Sequence, residues 1–233
     1  MLGPERRERG FFVGMAILIA ITIVAGFGSF SLRGLVVYPV PPLVHVHGLV
    51  FLTWIGVFIG QTLLIQRDQL QMHRRLGWFA ILLAAAMIAI GSATALESVR
   101  LDRVPPFFTP SIFLALSFLE LASFGALLAA AIVLRRESDW HRRFMLGATI
   151  AILGPAWGRI LPMPLLGAHG GLAVMSMQML FVGGAMAFDW RQRGAIHPAH
   201  FWILLAIFIQ GVGTPLLAMT PPFIALAAQL APA

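Results

Sequence analysis

Residues 140–159 read WHRRFMLGATIAILGPAWGR, and this stretch decides how the rest of the chain is interpreted. It begins with aromatic and basic residues, continues through a long uncharged run and ends in Arg159. An arginine at the centre of a membrane helix costs roughly 2.5–3.5 kcal/mol on insertion scales, so it indicates a functional site with a partner nearby. Glu120 is the acidic residue inside another apolar segment. We therefore expect Glu120 and Arg159 to face each other in a polar pocket.

The composition indicates a polytopic membrane protein. Of the 233 residues, 59% are hydrophobic and 11% are charged, and the mean hydropathy is +0.89. A soluble domain could not bury so much apolar surface. The chain has no lysine, which excludes a retinal Schiff base and therefore a rhodopsin-type pump. It also has no cysteine, which excludes thiolate metal sites, disulfides and covalently attached c-type haem.

Apolar runs long enough to cross a bilayer recur along the whole chain. They predict an all-α fold, a seven-transmembrane-helix bundle that forms one domain over residues 1–233. The predicted spans cover residues 11–30, 43–65, 76–95, 111–134, 144–161, 170–188 and 201–219. The apolar tail at residues 223–233 is too short to cross, and we expect it to lie on the outer surface.

The arginines predict the orientation. Most of them fall in loops on one side of the predicted bundle, whereas Arg33, Arg100 and Arg103 fall on the other side. The positive-inside rule then places the N-terminus in the cytoplasm and the C-terminus in the periplasm, in a bacterial inner membrane. The net charge of +7 is thereby explained by membrane orientation, so nucleic acid is not an expected partner and the lipid bilayer is.

Residues 73–75 and 141–143 both read HRR at corresponding places in two hairpins. Two explanations stay open, a repeated helical hairpin or convergent chemistry at the membrane interface. We expect the arginines of both tags to contact lipid phosphates at the cytoplasmic surface. His197 and His200 flank Pro198 in a predicted loop, and we expect both of them to be solvated.

Several polar groups fall at a similar depth. At about 1.5 Å per helical residue, the costly groups of four spans lie in the outer half of the bilayer, and a further histidine lies near the outer mouth. The predicted pocket is therefore lined by His47, Glu120, Arg159, Gln178 and His169. This coincidence of depth is the strongest signal in the sequence.

The fifth span carries Gly154-Pro155 shortly before Arg159. We expect this pair to kink the helix and to free a carbonyl near the pocket. Two alternatives for the charges stay open. Glu120 and Arg159 form a purely structural pair, or Arg159 extends to the outer headgroups and has no role in a pocket.

The histidines suggest further sites. Binding of b-type haem needs two imidazoles from different helices at one depth, and His73 with His141, or His47 with His169, would provide them. A zinc or copper ion is another alternative, with His45, His47 and His169 as ligands beside Glu120.

Residues 141–145, which read HRRFM, resemble a motif of a family of uncharacterised bacterial multi-pass membrane proteins, a domain of unknown function. In that family an H-R-x-W/F-M tag opens a helix that ends in an arginine, and His141 and Arg159 match these positions. The resemblance covers mainly the fourth and fifth spans and implies a membrane bundle. The chain is more distantly similar to cytochrome b561-like and oxidase-assembly membrane bundles, which implies haem or redox chemistry.

Together these features predict a redox-linked or respiratory-assembly protein that binds haem, a metal ion or quinone in an outer-leaflet pocket. A transporter or sensor of a small anion that uses Arg159 is the first alternative. A structural membrane subunit without a ligand, bound to a membrane-protein partner, is the second. The sequence has no nucleophile–base pair and no glycine-rich phosphate loop, so it favours a binding protein or carrier over an enzyme.

Overall fold

The computed structural model describes residues 4–232, and within that range the chain consists of helices and connecting loops without a strand. The fold is therefore all-α, as predicted. The chain forms two compact units, which meet in sequence between Gly91 and Ser92. We call them unit 1 and unit 2 and describe each by itself.

Unit 1 contains two complete helices and most of a third. These are α1 (Pro4–Leu32), α2 (Pro42–Gln66) and α3 (Leu70–Arg100), which continues into unit 2. Pro42 opens α2, a position where its missing N–H costs no hydrogen bond. Near the other end of α2, Arg9 pairs with Asp68 and donates to the carbonyl of Ile65 at 3.2 Å.

Unit 2 contains the remaining helices. α4, α5 and α9 pack against one another, α8 packs against α9 and α6, and α10 packs against α4. Their bounds are α4 (Pro110–Val133), α5 (Ser138–Ala151), α6 (Gly154–Ile160), α7 (Met163–Leu166), a 3-10 helix (Gly167–His169), α8 (Gly170–Arg193), α9 (Ala199–Ala218) and α10 (Pro221–Leu230).

The contact between α5 and α9 depends on a glycine. A Cβ on Gly147 would overlap the side chain of Ile203, whose exposed fraction is only 1%. The absence of a side chain at Gly147 therefore lets α5 lie close to α9. Together with the packing of α5 on α4, this contact positions α5 within unit 2.

Six helical segments among residues 4–232 are long and apolar enough to cross a membrane. They are Glu5–Leu32, Pro42–Gln66, Leu70–Arg100, Pro110–Val133, Met163–Arg193 and Ala199–Ala218. The fifth predicted span, residues 144–161, is not one of them because it consists of two shorter helices, α5 and α6. Residues 4–232 thus contain six candidate spans and the segment that is interrupted between α5 and α6.

The C-terminal tail forms α10 and packs onto α4. Phe223 contacts Phe118 with ring centroids 6.2 Å apart, and Ala227 joins a small core with Leu114. Ala233, the last residue of the predicted surface tail, lies outside the described residues.

Candidate functional site

The interruption between α5 and α6 lies at Ile152 and Leu153. We call it the α5–α6 break. Pro155 has no N–H with which to continue the helical ladder to the carbonyl of Ala151. Gln178 of α8 supplies the missing donor, because its Nε2 donates to the carbonyls of Ala151 at 2.9 Å and Ile150 at 3.1 Å. The break thus frees the carbonyl of Ala151, as expected, and the buried amide of Gln178 satisfies it.

Glu120 of α4 meets the same break. Its side chain is buried, and its Oε1 lies where a Cβ on Gly154 would be. Oε1 also accepts a hydrogen bond from Nε2 of Gln210 of α9 at 3.2 Å. The glycine that opens α6 therefore makes room for a carboxyl group inside the helix bundle.

Arg159 lies one turn further along α6. Its Nη1 donates to the carbonyl of Pro155 at 2.8 Å, and its charge interacts electrostatically with Glu120. The side chain is partly exposed. We call Glu120, Gln210, Gln178 and Arg159 the polar centre. Within it, the neutral amide of Gln210 supplies the hydrogen bond to Glu120.

The predicted histidines lie in different environments. His169 ends the 3-10 helix and is exposed. In unit 1, His45 is exposed, His47 stacks on Phe51 at 4.2 Å between ring centroids, and His73 lies near the start of α3. Residues 4–232 contain no group of three or more His, Cys, Asp or Glu side chains that could hold a metal ion. The predicted metal set of His45, His47 and His169 thus gains no support.

A second buried polar group in unit 2 joins the ends of three helices. Arg143 of α5 has no exposed surface and donates to Asp189 of α8 through Nε at 2.8 Å and Nη2 at 2.5 Å. His200 of α9 contacts the same carboxylate through Nε2 at 2.8 Å. We call Arg143, Asp189 and His200, together with Asp139 and Arg193, the Asp189 network.

Asp139 closes the network toward the surface. Its backbone carbonyl accepts from Nη1 of Arg143 at 2.9 Å, and its carboxylate accepts from both terminal nitrogens of Arg193 at 2.9 Å. Arg142 also pairs with this carboxylate. The charges at the start of α5 are therefore matched by carboxylates of α5 and α8.

These contacts correct two expectations. Arg143 does not extend to lipid phosphates, because Asp189 binds it inside the bundle. His200 is not solvated: its exposed fraction is 1%, since it begins α9 at the point where that helix packs on α8. A bidentate Arg–carboxylate pair provides the geometry that makes such burial tolerable.

His197 lies beside the network, in the loop between α8 and α9. Its ring contacts Trp140 at 4.8 Å between centroids, and its Nδ1 accepts from the N–H of Ala199 at 3.2 Å. Burial, followed by the positive charge of Arg143, lowers the pKa of His197 to about 4. This imidazole is therefore neutral at pH 7.

The sequence singled out Glu120, Arg159 and Gln178, which the structure places beside the α5–α6 break, but it did not identify Gln210 as the partner of Glu120. The signal was present, because Gln210 follows Ile203 and Ile207 on one helical face of α9. It also missed the Asp189 network, although Asp-Trp recurs at residues 139–140 and 189–190 beside arginines.

Comparison of the chain with protein-family models, curated proteins and solved structures gives no match. The chemistry of the polar centre therefore rests on its geometry. A carboxyl group, two amides and a guanidinium at a helix break can bind a small polar molecule through hydrogen bonds and charge.

Proposed function

We propose that the protein is a multi-pass protein of a bacterial inner membrane that carries or senses a small anion at the polar centre. The observation that supports this most is the α5–α6 break beside the buried Glu120 and the charge of Arg159. Secondary transporters build substrate sites from discontinuous helices near the membrane midplane. Ionisable residues within membrane segments mark the paths of substrates and ions.

In this proposal α5 and α6 together make one interrupted crossing. They contain 14 and 7 residues, close to the roughly 20 that a crossing requires. Irregular backbone at membrane depth is tolerated where protein encloses it and satisfies its polar groups. At the α5–α6 break, Gln178 donates hydrogen bonds to the backbone carbonyls. With the six candidate spans this gives seven crossings, an N-terminus in the cytoplasm and a C-terminus in the periplasm.

The charged residues have separate roles. Arg159 is the partly exposed cation and attracts the anion. Glu120 is the buried carboxyl group beside this cation, and its ionised form competes with the anion for Arg159. Gln178 fixes the break and keeps Gly154 against Glu120.

The substitution Arg159→Gln tests this function. Chloride, phosphate, acetate and succinate are the probes, and the measurement is anion-dependent thermal stabilisation of the purified protein. At least one probe should raise the melting temperature of the unsubstituted protein, and Arg159→Gln should abolish that rise because the attracting charge is gone.

The matched control is Arg100→Gln, which removes an exposed arginine that pairs with Glu97 at 3.8 Å. It should keep the stabilisation by the anion. If no probe stabilises the unsubstituted protein, or if Arg159→Gln responds as that protein does, the anion function is wrong. Co-purification of a stable membrane partner without any ligand would then favour a structural subunit.

A redox function is the second candidate, and one contact supports it. Nδ1 of His141 lies 2.8 Å from the carbonyl of Ala131. Such a bond orients an imidazole so that Nε2 serves as a haem or metal ligand. His141 would be one ligand of b-type haem, and a quinone would bind at the polar centre. An absorbance spectrum after reconstitution with haem that lacks a Soret band would eliminate the haem branch.

A further inference from the structure

The hydrogen bonding of Glu120 and Gln210 is incomplete. Both side chains are buried, with exposed fractions of 7% and 2%. In the part of the chain that the structure describes, Glu120 accepts one hydrogen bond, from Nε2 of Gln210. The Oε1 atom of Gln210 is buried and has no hydrogen-bond partner among the same residues. Two acceptor groups therefore lie together with too few donors.

An ionised carboxylate makes this shortage worse. It is acceptor-only, and a buried one needs several donors to offset the loss of water. Gly154 lies directly against Oε1 of Glu120, so protein occupies the space that a hydrating water would need there. What the group lacks is a donor.

We propose that Glu120 is a proton-binding site and that it holds a proton in the conformation seen in the structure. A carboxylic acid and a primary amide can form two reciprocal hydrogen bonds. The N–H of Gln210 donates to one carboxyl oxygen, as it does in the structure, and the acid O–H donates to Oε1 of Gln210. A single proton thus satisfies both the carboxyl group and the unpartnered amide oxygen.

The charged groups around Glu120 fit this assignment. From α6, Arg159 is the cation that interacts with it. The ionisable groups of α5, α8 and α9 that lie in the Asp189 network are remote: Arg143 and His200 are about 15 Å along their helices from Gly154 and Gln210. Helix α10 carries no ionisable side chain. Arg159 therefore decides how readily Glu120 gives up its proton.

This arrangement links the proton to the anion. When an anion binds Arg159 it weakens the attraction of that cation for the ionised carboxylate, so proton uptake at Glu120 and anion binding favour each other. The link rests on the proposed function, whereas the proton site does not. Glu120 would bind a proton even in a protein that transports no anion.

Infrared spectroscopy of the lipid-reconstituted full-length protein at pH 7 tests the proton site. A protonated carboxyl group gives a carbonyl stretch apart from the amide and carboxylate bands, and the stretch shifts in heavy water. We expect this band in the unsubstituted protein and its complete loss in Glu120→Gln. The matched control Glu137→Gln, which makes the same change at an exposed position, should leave the band unchanged.

Absence of the band from the unsubstituted protein, or its persistence in Glu120→Gln, would overturn the proposal. Thermal unfolding gives a second measurement. Glutamine resembles a protonated glutamic acid, so Glu120→Gln should melt near the unsubstituted protein. A large fall in its melting temperature would show instead that the negative charge is required. Neither measurement uses an anion, so the failure of the anion function would leave this result intact.

Discussion

At the scale of single residues, Asp189 holds two side chains that would otherwise be costly to bury. Arg143 has no exposed surface and His200 has almost none, and both contact the carboxylate of Asp189. A buried ion pair gives little net stability compared with apolar residues, but the loss of one partner leaves an uncompensated buried charge. The network therefore makes α5, α8 and α9 depend on one another.

The substitution Asp189→Asn should destabilise the protein by about 3–5 kcal/mol, because it leaves the guanidinium of Arg143 buried beside a neutral amide. Chemical unfolding in detergent measures this loss. The control Asp102→Asn makes the same change at an exposed, left-handed position that asparagine accepts readily, and its effect should stay within about 0.5 kcal/mol. Equal effects of the two substitutions would show that Asp189 does not balance Arg143.

Single residues were predictable only where the sequence shows a charge inside an apolar segment, which is unfavourable in free energy. Glu120 and Arg159 stand out because charges are rare in apolar segments. Arg143 and Asp189 do not stand out, since each adjoins other charged residues at a helix end and their pairing joins positions 46 residues apart. The sequence gives no information about which helix ends meet.

At the scale of elements, the α5–α6 break organises unit 2. The break leaves the carbonyl of Ala151 without a helical partner, and the amide of Gln178 donates to it. The same amide also donates to the carbonyl of Ile150, which in addition accepts from the N–H of Leu153 at 3.0 Å. That amide is as important to the break as Pro155 is, because unpaired carbonyls inside a membrane bundle are costly.

The substitution Gln178→Met removes the donor while keeping the size and shape of the side chain. The substitution leaves the carbonyl of Ala151 unsatisfied, whereas that of Ile150 keeps the N–H of Leu153. One unsatisfied buried carbonyl costs about 1–3 kcal/mol, so the protein should lose stability of that order. The control Gln192→Met makes the same change at an exposed position near the end of α8 and should have little effect. If the two variants have the same melting curve, Gln178 does not stabilise the α5–α6 break.

The helices were predictable from hydropathy, but the rotation of each helix about its own axis was not. The predicted span at residues 43–65 lies within α2, and Gly154-Pro155 indicated the interruption. The sequence did not indicate that the helix ends before the glycine, at Ala151, or that Gln210 faces Glu120. The depth of a side chain in the membrane follows from counting residues along its helix. The residues that a helix face contacts depend on how the neighbouring helices pack.

At the scale of the whole molecule, the depth of the polar centre depends on whether the interrupted segment crosses the membrane. If α5 and α6 form one crossing, the polar centre lies within the bilayer and the arginine-rich loops share the cytoplasmic side. If they do not, Glu120 and Arg159 lie close to one membrane surface and their burial needs no ligand to explain it.

Site-directed labelling of single cysteines measures this most directly, because the chain contains no cysteine of its own. Glu137→Cys and Ala168→Cys place exposed thiols before α5 and after α6, and a membrane-impermeant maleimide is added to intact cells. We expect Ala168→Cys to be labelled from the outside and Glu137→Cys only after the membrane is opened. Labelling of both cysteines from the same side would contradict the crossing and, with it, a polar centre inside the membrane.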